Sequence, residues 1–158
     1  MDTPVMSSIL ASNQLQVAHA LGLISATDRR RVGLLGLSFK EGTDDLRESP
    51  VVTMAEQLIG KGYELLIYDR NVHLASLMGA NRDYILNIIP HIGRLLVEQV
   101  QQLFERSDVI VVACADREFP ELIARYAADK IVIDLVGAFE RPGADAPDHL
   151  KSYEGIAW

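Results

Sequence analysis

A polar loop that follows the first apolar strand holds the side chains of this sequence best suited to bind a ligand. The loop contains Phe39, Lys40, Thr43, Asp44, Asp45 and Arg47. Lysine as a point charge and arginine as a planar fork both suit phosphate and carboxylate groups. In open α/β sheets, ligands lie just beyond the carboxyl ends of the strands. The loop therefore predicts either an anion site around Lys40 and Arg47 or a charged surface loop that faces water.

The elements that would position this loop are apolar strands alternating with helices. Strands are predicted over residues 32–37, 64–68, 109–113 and 131–136, with a short last strand over 155–158. Helices are predicted over 51–59, 74–78, 95–104 and 118–126, while 80–93 suggests a loop at 81–83 and a short strand over 88–92. Continuous apolar strands separated by helices indicate a parallel sheet covered on both faces. The predicted fold class is α/β, with a Rossmann-like, doubly wound, mostly parallel sheet.

An amphipathic helix of about 20 residues is predicted ahead of the first strand. Its apolar residues recur at three- and four-residue spacing: Met6, Ile9, Leu10, Val17, Leu21 and Ile24. This stripe either packs on its own domain or forms the seam of a dimer. We therefore divide the chain into a connector or dimerisation helix, residues 1–26, and one domain, residues 30–158.

Composition limits the classes of function. The net charge of −7 argues against a general nucleic-acid surface, which needs a basic stripe. No apolar run approaches the roughly 20 residues of a membrane span, and the N-terminus lacks the pattern of a secretory signal. The single cysteine excludes an internal disulfide and fits a reducing compartment. We expect a cytoplasmic protein that binds neither nucleic acid nor membrane.

The glycines at the end of the first strand do not form a dinucleotide fingerprint. That fingerprint requires Gly-x-Gly-x-x-Gly in a tight turn, so that the backbone can approach a pyrophosphate. Here the spacing is Gly33-x-x-Gly36, with no third glycine. Asp69 ends the second strand, where a ribose-binding acid often lies, but it follows Gly33 by more residues than the usual spacing of about 20. The sequence predicts a Rossmann-like domain that does not bind NAD in the standard way.

Other reactive side chains favour structural roles. Cys114 follows an apolar strand and lies between two alanines, which favours a buried thiol over a nucleophile. The four histidines are scattered without metal-ligand spacing, so no metal site is predicted. Asp116, Arg117 and Glu118 follow a strand and are interpreted as a helix cap, with a place in the same crevice as Lys40 as the alternative.

Residues 39–50, which read FKEGTDDLRESP, strongly resemble the signature that opens the C-terminal domain of the UDP-glucose/GDP-mannose dehydrogenase family. Four further stretches are similar to its GDP-mannose branch: GLLGLS at 33–38, GKGYEL at 60–65, DLVG at 134–137 and YEGIAW at 153–158. The resemblance covers nearly the whole chain. It implies a domain that binds a nucleotide-sugar substrate, GDP-mannose above others.

The resemblance also implies roles for particular residues. Phe39 and Lys40 align with the pair that holds the nucleotide sugar, with Lys40 near the diphosphate. Arg47 aligns with the signature arginine, which either binds ligand or organises the loop through Asp44 or Glu48. In UDP-sugar members a basic residue typically follows the strand matching 131–134, and its replacement here by residues 135–137 favours the guanine branch.

The family's architecture implies what lies outside these residues. In it, NAD and the covalent cysteine belong to upstream sequence, and a long helix joins the two domains and pairs with its partner across a twofold axis. By analogy, this chain would be a C-terminal piece of an NAD-dependent 6-dehydrogenase and a homodimer, with no catalytic residue of its own and inactive alone. The analogy also implies that the enzyme's product is a precursor for polysaccharide biosynthesis. The alternatives are a stand-alone, non-catalytic nucleotide- or phosphate-binding module and, more weakly, a purely structural dimerisation domain.

Overall fold

The computed structural model of the chain describes residues 4–38, 44–73, 77–139 and 147–155, with side chains described from residue 12 onward. Six helices and five strands follow one another in this part of the chain. In order, they are α1 (Pro4–Ala26), β1 (Arg31–Leu35), α2 (Pro50–Gly60), β2 (Glu64–Tyr68), α3 (Gly79–Ile88), α4 (Ile92–Leu95), α5 (Val100–Arg106), β3 (Val109–Val112), α6 (Phe119–Tyr126), β4 (Ile131–Asp134) and β5 (Ser152–Gly155).

The five strands form one parallel sheet in the order β2-β1-β3-β4-β5. From β1 the chain crosses to β2 on one side and then returns to β3 on the other. The carboxyl ends of β1 and β3 therefore form the topological switch point of the sheet, where ligands of open α/β folds are bound. The α/β, Rossmann-like fold class predicted from the apolar strands is confirmed.

Side chains on the two faces of the sheet belong to two separate apolar clusters. Leu34 belongs to the cluster packed by α1 and α2, and its neighbour Leu35 to the cluster packed by α5 and α6. Alternate residues of a strand point to opposite faces, so a strand that is apolar throughout can serve both clusters. Burial on both faces fixes the strands and thereby the loops that follow them.

Several predicted elements differ from the structure. The predicted helix over 74–78 lies partly outside the described residues, and residues 77–78 are not helical. A helix occupies Gly79–Ile88, although a loop was expected at 81–83. The short strand predicted over 88–92 is not formed, because residues 90–91 make a turn and α4 begins at Ile92. The predicted helix over 95–104 is two helices, α4 and α5, because residues 96–97 extend the sheet at the edge of β2, with Val97 N donating to Ile67 O at 2.9 Å. The last strand is Ser152–Gly155 rather than 155–158, of which 156–158 lie outside the described residues.

The C-terminal half of α1 packs on its own domain. Val17, Ala20 and Ile24 lie on one stripe and are buried. On the other side of the helix, Leu15 is 73% exposed. The dimer seam and the boundary between a connector helix and the domain remain predictions, since the side chains of Met6, Ile9 and Leu10 lie outside the described ones. Within the described ranges, no helix has the length and apolar character needed to cross a lipid bilayer.

Candidate functional site

A cavity of about 320 Å³ opens at the carboxyl edge of the sheet, beside the switch point. Its walls come from α1, the first turns of α2 and the segments that follow β3 and β4. The lining residues are Asn13, Gln16, Val17, Pro50, Val51, Met54, Ala113, Cys114, Ala115, Leu135 and Val136. Carboxylates, ammonium groups and guanidinium groups are lacking among these, while two side-chain amides are present. The cavity suits an uncharged part of a ligand, and any charged part would lie outside it.

Asp69, directly after β2, holds the segment that leaves β1. Its Oδ2 accepts hydrogen bonds from the backbone N–H groups of Leu37 and Ser38 at 2.8 and 3.1 Å and from the Ser38 hydroxyl at 3.2 Å. Its Oδ1 accepts from Asn71 N at 2.9 Å. Only 6% of Asp69 is exposed. Although it lies where a ribose-binding acid often lies, its oxygens are occupied by the protein's own backbone.

Gly36 lets the ends of β1 and β3 approach each other. Its φ of +91° is in the left-handed region that favours glycine. A Cβ at this position would overlap the Cβ of Cys114 and lie 3.1 Å from its backbone nitrogen. The glycine is therefore required by contact between two strand ends. This contact gives the glycine a structural role, just as the hydrogen bonds to the backbone of Leu37 and Ser38 give one to Asp69.

The segment before α2 is described from Asp44 onward, so Phe39, Lys40 and Thr43 lie outside the described residues. Arg47 forms a two-point contact with Asp45, from Nε to Oδ1 at 2.9 Å and from Nη2 to Oδ2 at 2.8 Å. Hydrogen bonding to Asp45 is the main cause that raises the pKa of the Arg47 guanidinium. Of the two roles considered for Arg47, this contact fits loop organisation, although the partner is Asp45 rather than Asp44 or Glu48.

Asn81, on α3, fixes the same segment from outside. Its Oδ1 accepts from Leu46 N at 2.8 Å, and its Nδ2 donates to Asp44 O at 2.6 Å. Sequence reasoning missed this residue because it placed 81–83 in a loop. The side-chain amide of asparagine has a donor and an acceptor side by side, so it can bind a backbone C=O and a backbone N–H at once. No local sequence pattern indicated this role for Asn81.

A group of charged and polar residues bridges the ends of β2 and β3 on the α5/α6 face. Arg70 Nε contacts Asp116 Oδ2 at 3.0 Å, and Tyr68 donates to Glu118 Oε1 at 3.2 Å. Burial, with Glu118 adding to it, raises the pKa of the Tyr68 phenol. Asp116 Oδ1 also accepts from Glu118 N at 3.0 Å and so closes the turn before α6. These acids act in the local structure, as the cap interpretation expected, although the N-cap itself is Glu118.

Cys114 is 7% exposed and lies in the α5/α6 cluster, so its burial was correctly predicted. It also borders the cavity, which the sequence did not indicate. Among the described residues, no group of three or more histidine, cysteine, aspartate or glutamate side chains could hold a metal ion.

Comparison with known proteins identifies the family. Residues 33–141 match the family model described as "UDP-glucose/GDP-mannose dehydrogenase family, UDP binding domain". The chain is 50% identical over 155 residues to the GDP-mannose 6-dehydrogenases of Pseudomonas putida and Pseudomonas aeruginosa, matching 98% of this chain and 34% of each relative. It therefore spans about a third of the length of the curated relatives it matches.

A solved structure agrees with the sequence comparison. The ternary complex of GDP-mannose dehydrogenase from Pseudomonas aeruginosa superimposes with a TM-score of 0.81 at 46% identity, covering 99% of this chain and 35% of that one. The resemblance seen in the signature at 39–50 is thus confirmed along the chain. This chain belongs to the UDP-glucose/GDP-mannose dehydrogenase family, and what it matches there is the UDP-binding domain.

Proposed function

We propose that this chain is the nucleotide-sugar-binding part of an NAD-dependent 6-dehydrogenase that oxidises GDP-mannose to GDP-mannuronate. The observation that carries the proposal is a difference in similarity. The chain is 50% identical to the GDP-mannose 6-dehydrogenase of Pseudomonas putida, but 27% identical, over 143 residues, to the UDP-glucose 6-dehydrogenase of Rickettsia typhi. A cavity whose described lining carries no charged side chain offers room for an uncharged part of such a ligand.

In this proposal the chain contributes binding and orientation. Lys40 would bind the diphosphate and Phe39 the adjoining part of the nucleotide sugar, while Arg47 organises the segment before α2 through Asp45. Energy gained from such remote contacts positions the reacting C6 carbon of the sugar. NAD would be bound outside these residues, since the switch point has neither the fingerprint turn nor a free carboxylate for a ribose.

A stand-alone module that binds a nucleotide or phosphate without catalysis is the second candidate. The described lining of the cavity consists of two amides, the Cys114 thiol and apolar groups, which are suited to bind and orient a ligand. The gene separates the two candidates. A reading frame that continues upstream into a Gly-x-Gly-x-x-Gly domain supports the dehydrogenase, and a native start at Met1 supports the module. We further propose a cytoplasmic homodimer that pairs through α1, for which the exposed Leu15 offers a contact.

The 158-residue chain by itself is expected to show no dehydrogenase activity. The reason is that Gly36 and Asp69 at its switch point contact other parts of the chain and that its single cysteine is buried beside Gly36. NADH formation with GDP-mannose and with UDP-glucose, followed by absorbance, tests this. Turnover by the purified chain would contradict the assignment of NAD and chemistry to other residues.

Replacement of Lys40 by alanine is expected to weaken GDP binding. A charge-assisted contact to phosphate contributes about 1.5–3 kcal/mol, which corresponds to a loss of about tenfold to hundredfold in affinity. The loss should be similar for GDP and GDP-mannose, because lysine binds the phosphates that both share. Calorimetry of the parent and the variant with GDP, UDP and mannose measures it.

Lys61→Ala is the matched control for this experiment. Lys61 is the C-cap of α2, whereas the cavity lies at the N-terminal end of that helix, so its loss should leave GDP affinity unchanged. Equal affinity of the parent and Lys40→Ala for GDP would rule out the diphosphate site. Equal affinity of the parent for GDP and UDP would remove the ground for the guanine nucleotide.

A further inference from the structure

One wall of the cavity is a short loop that has no regular secondary structure. Leu135 and Val136, which line the cavity, directly follow the last residue of β4. The loop continues through Gly137, whose φ is +67°, to Ala138 and the buried Phe139. Leu135 N still donates to Val112 O at 2.9 Å, but no strand pairing continues beyond it, so side chains hold the rest of the loop backbone in place.

Asp134 is the side chain that holds this loop. Its carboxylate is fully buried, and it accepts Val136 N on Oδ1 at 3.0 Å and Ala138 N on Oδ2 at 2.7 Å. Two backbone groups of the loop are thereby drawn back onto the end of the strand that precedes it. A buried carboxylate requires such donors, since an unpaired charge in this position is costly.

Tyr153 completes the arrangement from the last strand of the sheet. Its hydroxyl donates to Asp134 Oδ2 at 2.7 Å, and its ring meets that of Phe139 edge to face with centroids 5.5 Å apart. One side chain of β5 therefore contacts both the carboxylate that holds the loop and the residue at the loop's far end. Desolvation, followed by the contact with Asp134, raises the pKa of the Tyr153 phenol, so it remains a donor at neutral pH.

We propose that Asp134 and Tyr153 are positioning residues for the ligand: they hold the loop over residues 135–139 and thereby place Leu135 and Val136, which line the cavity, without touching the ligand themselves. The inference rests on the proposed nucleotide-sugar site and adds that the edge strand β5 is part of its construction. A wall that moves loses contacts with a bound group, because dispersion and hydrogen bonds both fall steeply with distance.

The test compares Tyr153→Phe and Asp134→Asn with the parent chain, using GDP as the probe. Tyr153→Phe keeps the ring and its contact with Phe139 and removes only the hydroxyl donor. We expect its GDP affinity to fall about tenfold, equal to about 1.4 kcal/mol. We also expect faster hydrogen exchange at the amides of Val136 and Ala138 without ligand. Asp134→Asn should show the same two changes to a larger extent.

Tyr126→Phe is the control, because its hydroxyl, which accepts from Gln101, lies on α6 away from the cavity. It should leave both GDP affinity and the exchange of Val136 and Ala138 unchanged. Thermal melts establish that each variant is folded at the temperature of the binding experiment. Unchanged GDP affinity in a folded Tyr153→Phe variant would overturn the positioning role alone. A parent chain that binds neither GDP nor UDP would instead overturn the proposed function, and the positioning role with it.

Discussion

Replacing Gly36 with alanine is expected to destabilise the fold by about 2–5 kcal/mol. Holding a non-glycine residue in the left-handed region costs about 1–2 kcal/mol, and overpacking costs about a further 1–3 kcal/mol. Both apply here, because the φ of Gly36 is +91° and the new Cβ would overlap Cys114. Single domains are stable by only about 5–15 kcal/mol. Urea unfolding of the parent and the variant, followed by circular dichroism, measures the loss.

Gly62→Ala separates the two contributions. Its φ is +80°, but no atom lies within 4 Å of the position that its Cβ would take. It should therefore lose only about 1–2 kcal/mol, the cost of the left-handed conformation. In the background of Gly36→Ala, Cys114→Gly should restore part of the stability, because it removes the atom that the new methyl group would meet. Equal losses for Gly36→Ala and Gly62→Ala would refute the close contact between the two strand ends.

Asp69→Ala is the second substitution with a large expected effect. It would leave the N–H groups of Leu37 and Ser38 without their acceptor, and both residues are fully buried. Each unsatisfied buried donor costs about 1–3 kcal/mol, so the expected loss is about 2–6 kcal/mol. Because these residues lead into the signature loop, GDP affinity should fall as well. Urea unfolding and calorimetry with GDP measure the two effects.

Asp45→Ala is a suitable comparison for Asp69→Ala. Asp45 is also an aspartate of the candidate site, but its side chain is 45% exposed and its contact with Arg47 is open to water. An exposed ion pair contributes about 0–1 kcal/mol, so the unfolding free energy should change little. The unfolding free energy of Asp69→Asn should lie between those of Asp69→Ala and Asp45→Ala, since asparagine keeps the shape of the side chain and one acceptor oxygen. If Asp69→Ala were no less stable than Asp45→Ala, Asp69 could not be the residue that holds the end of β1.

Both large effects occur at the point where a dinucleotide-binding Rossmann domain would hold its cofactor. In this chain, the glycine accommodates Cys114 and the aspartate binds backbone amides. The position is thus used to build the edge of the sheet, and the cavity lies beside it, between α1 and the loops after β3 and β4. This arrangement supports our proposal that NAD is bound by residues other than these.

Much of the fold could be predicted from the sequence, because its signals are local. Continuous apolar runs located the first four strands of the chain to within two residues at either end, and Ser49–Pro50 with Gly60 placed α2. The twelve residues from 39 to 50 were specific enough to identify the family. A strand buried on both faces of a parallel sheet requires a continuous apolar run, and the ends of a helix require start and stop residues. Both signals are visible within a few neighbouring residues.

Where sequence reasoning was wrong, a distant partner decided the structure. The segment over 95–104 has the spacing of one helix, but its first residues pair with Ile67 at the free edge of β2 and the helix begins later. Asn81-Arg82-Asp83 suggested a loop, yet Gly79–Ile88 is helical, and Asn81 there holds Leu46 and Asp44. Hydrogen bonds to remote backbone groups outweigh local propensity, which differs by less than about 1 kcal/mol for most residues.

The sequence by itself determined the alternation of strands and helices, the family, and the residue types of the signature loop. Only the tertiary structure decided which acid holds which loop. Asp69 and Asp134 both end strands and cannot be told apart from a ligand-binding acid by position. Their partners, Leu37 and Tyr153, lie 32 and 19 residues away. The role of a buried carboxylate depends on which donors the folded chain brings within about 3 Å of it. The number of residues between carboxylate and donor does not predict that distance.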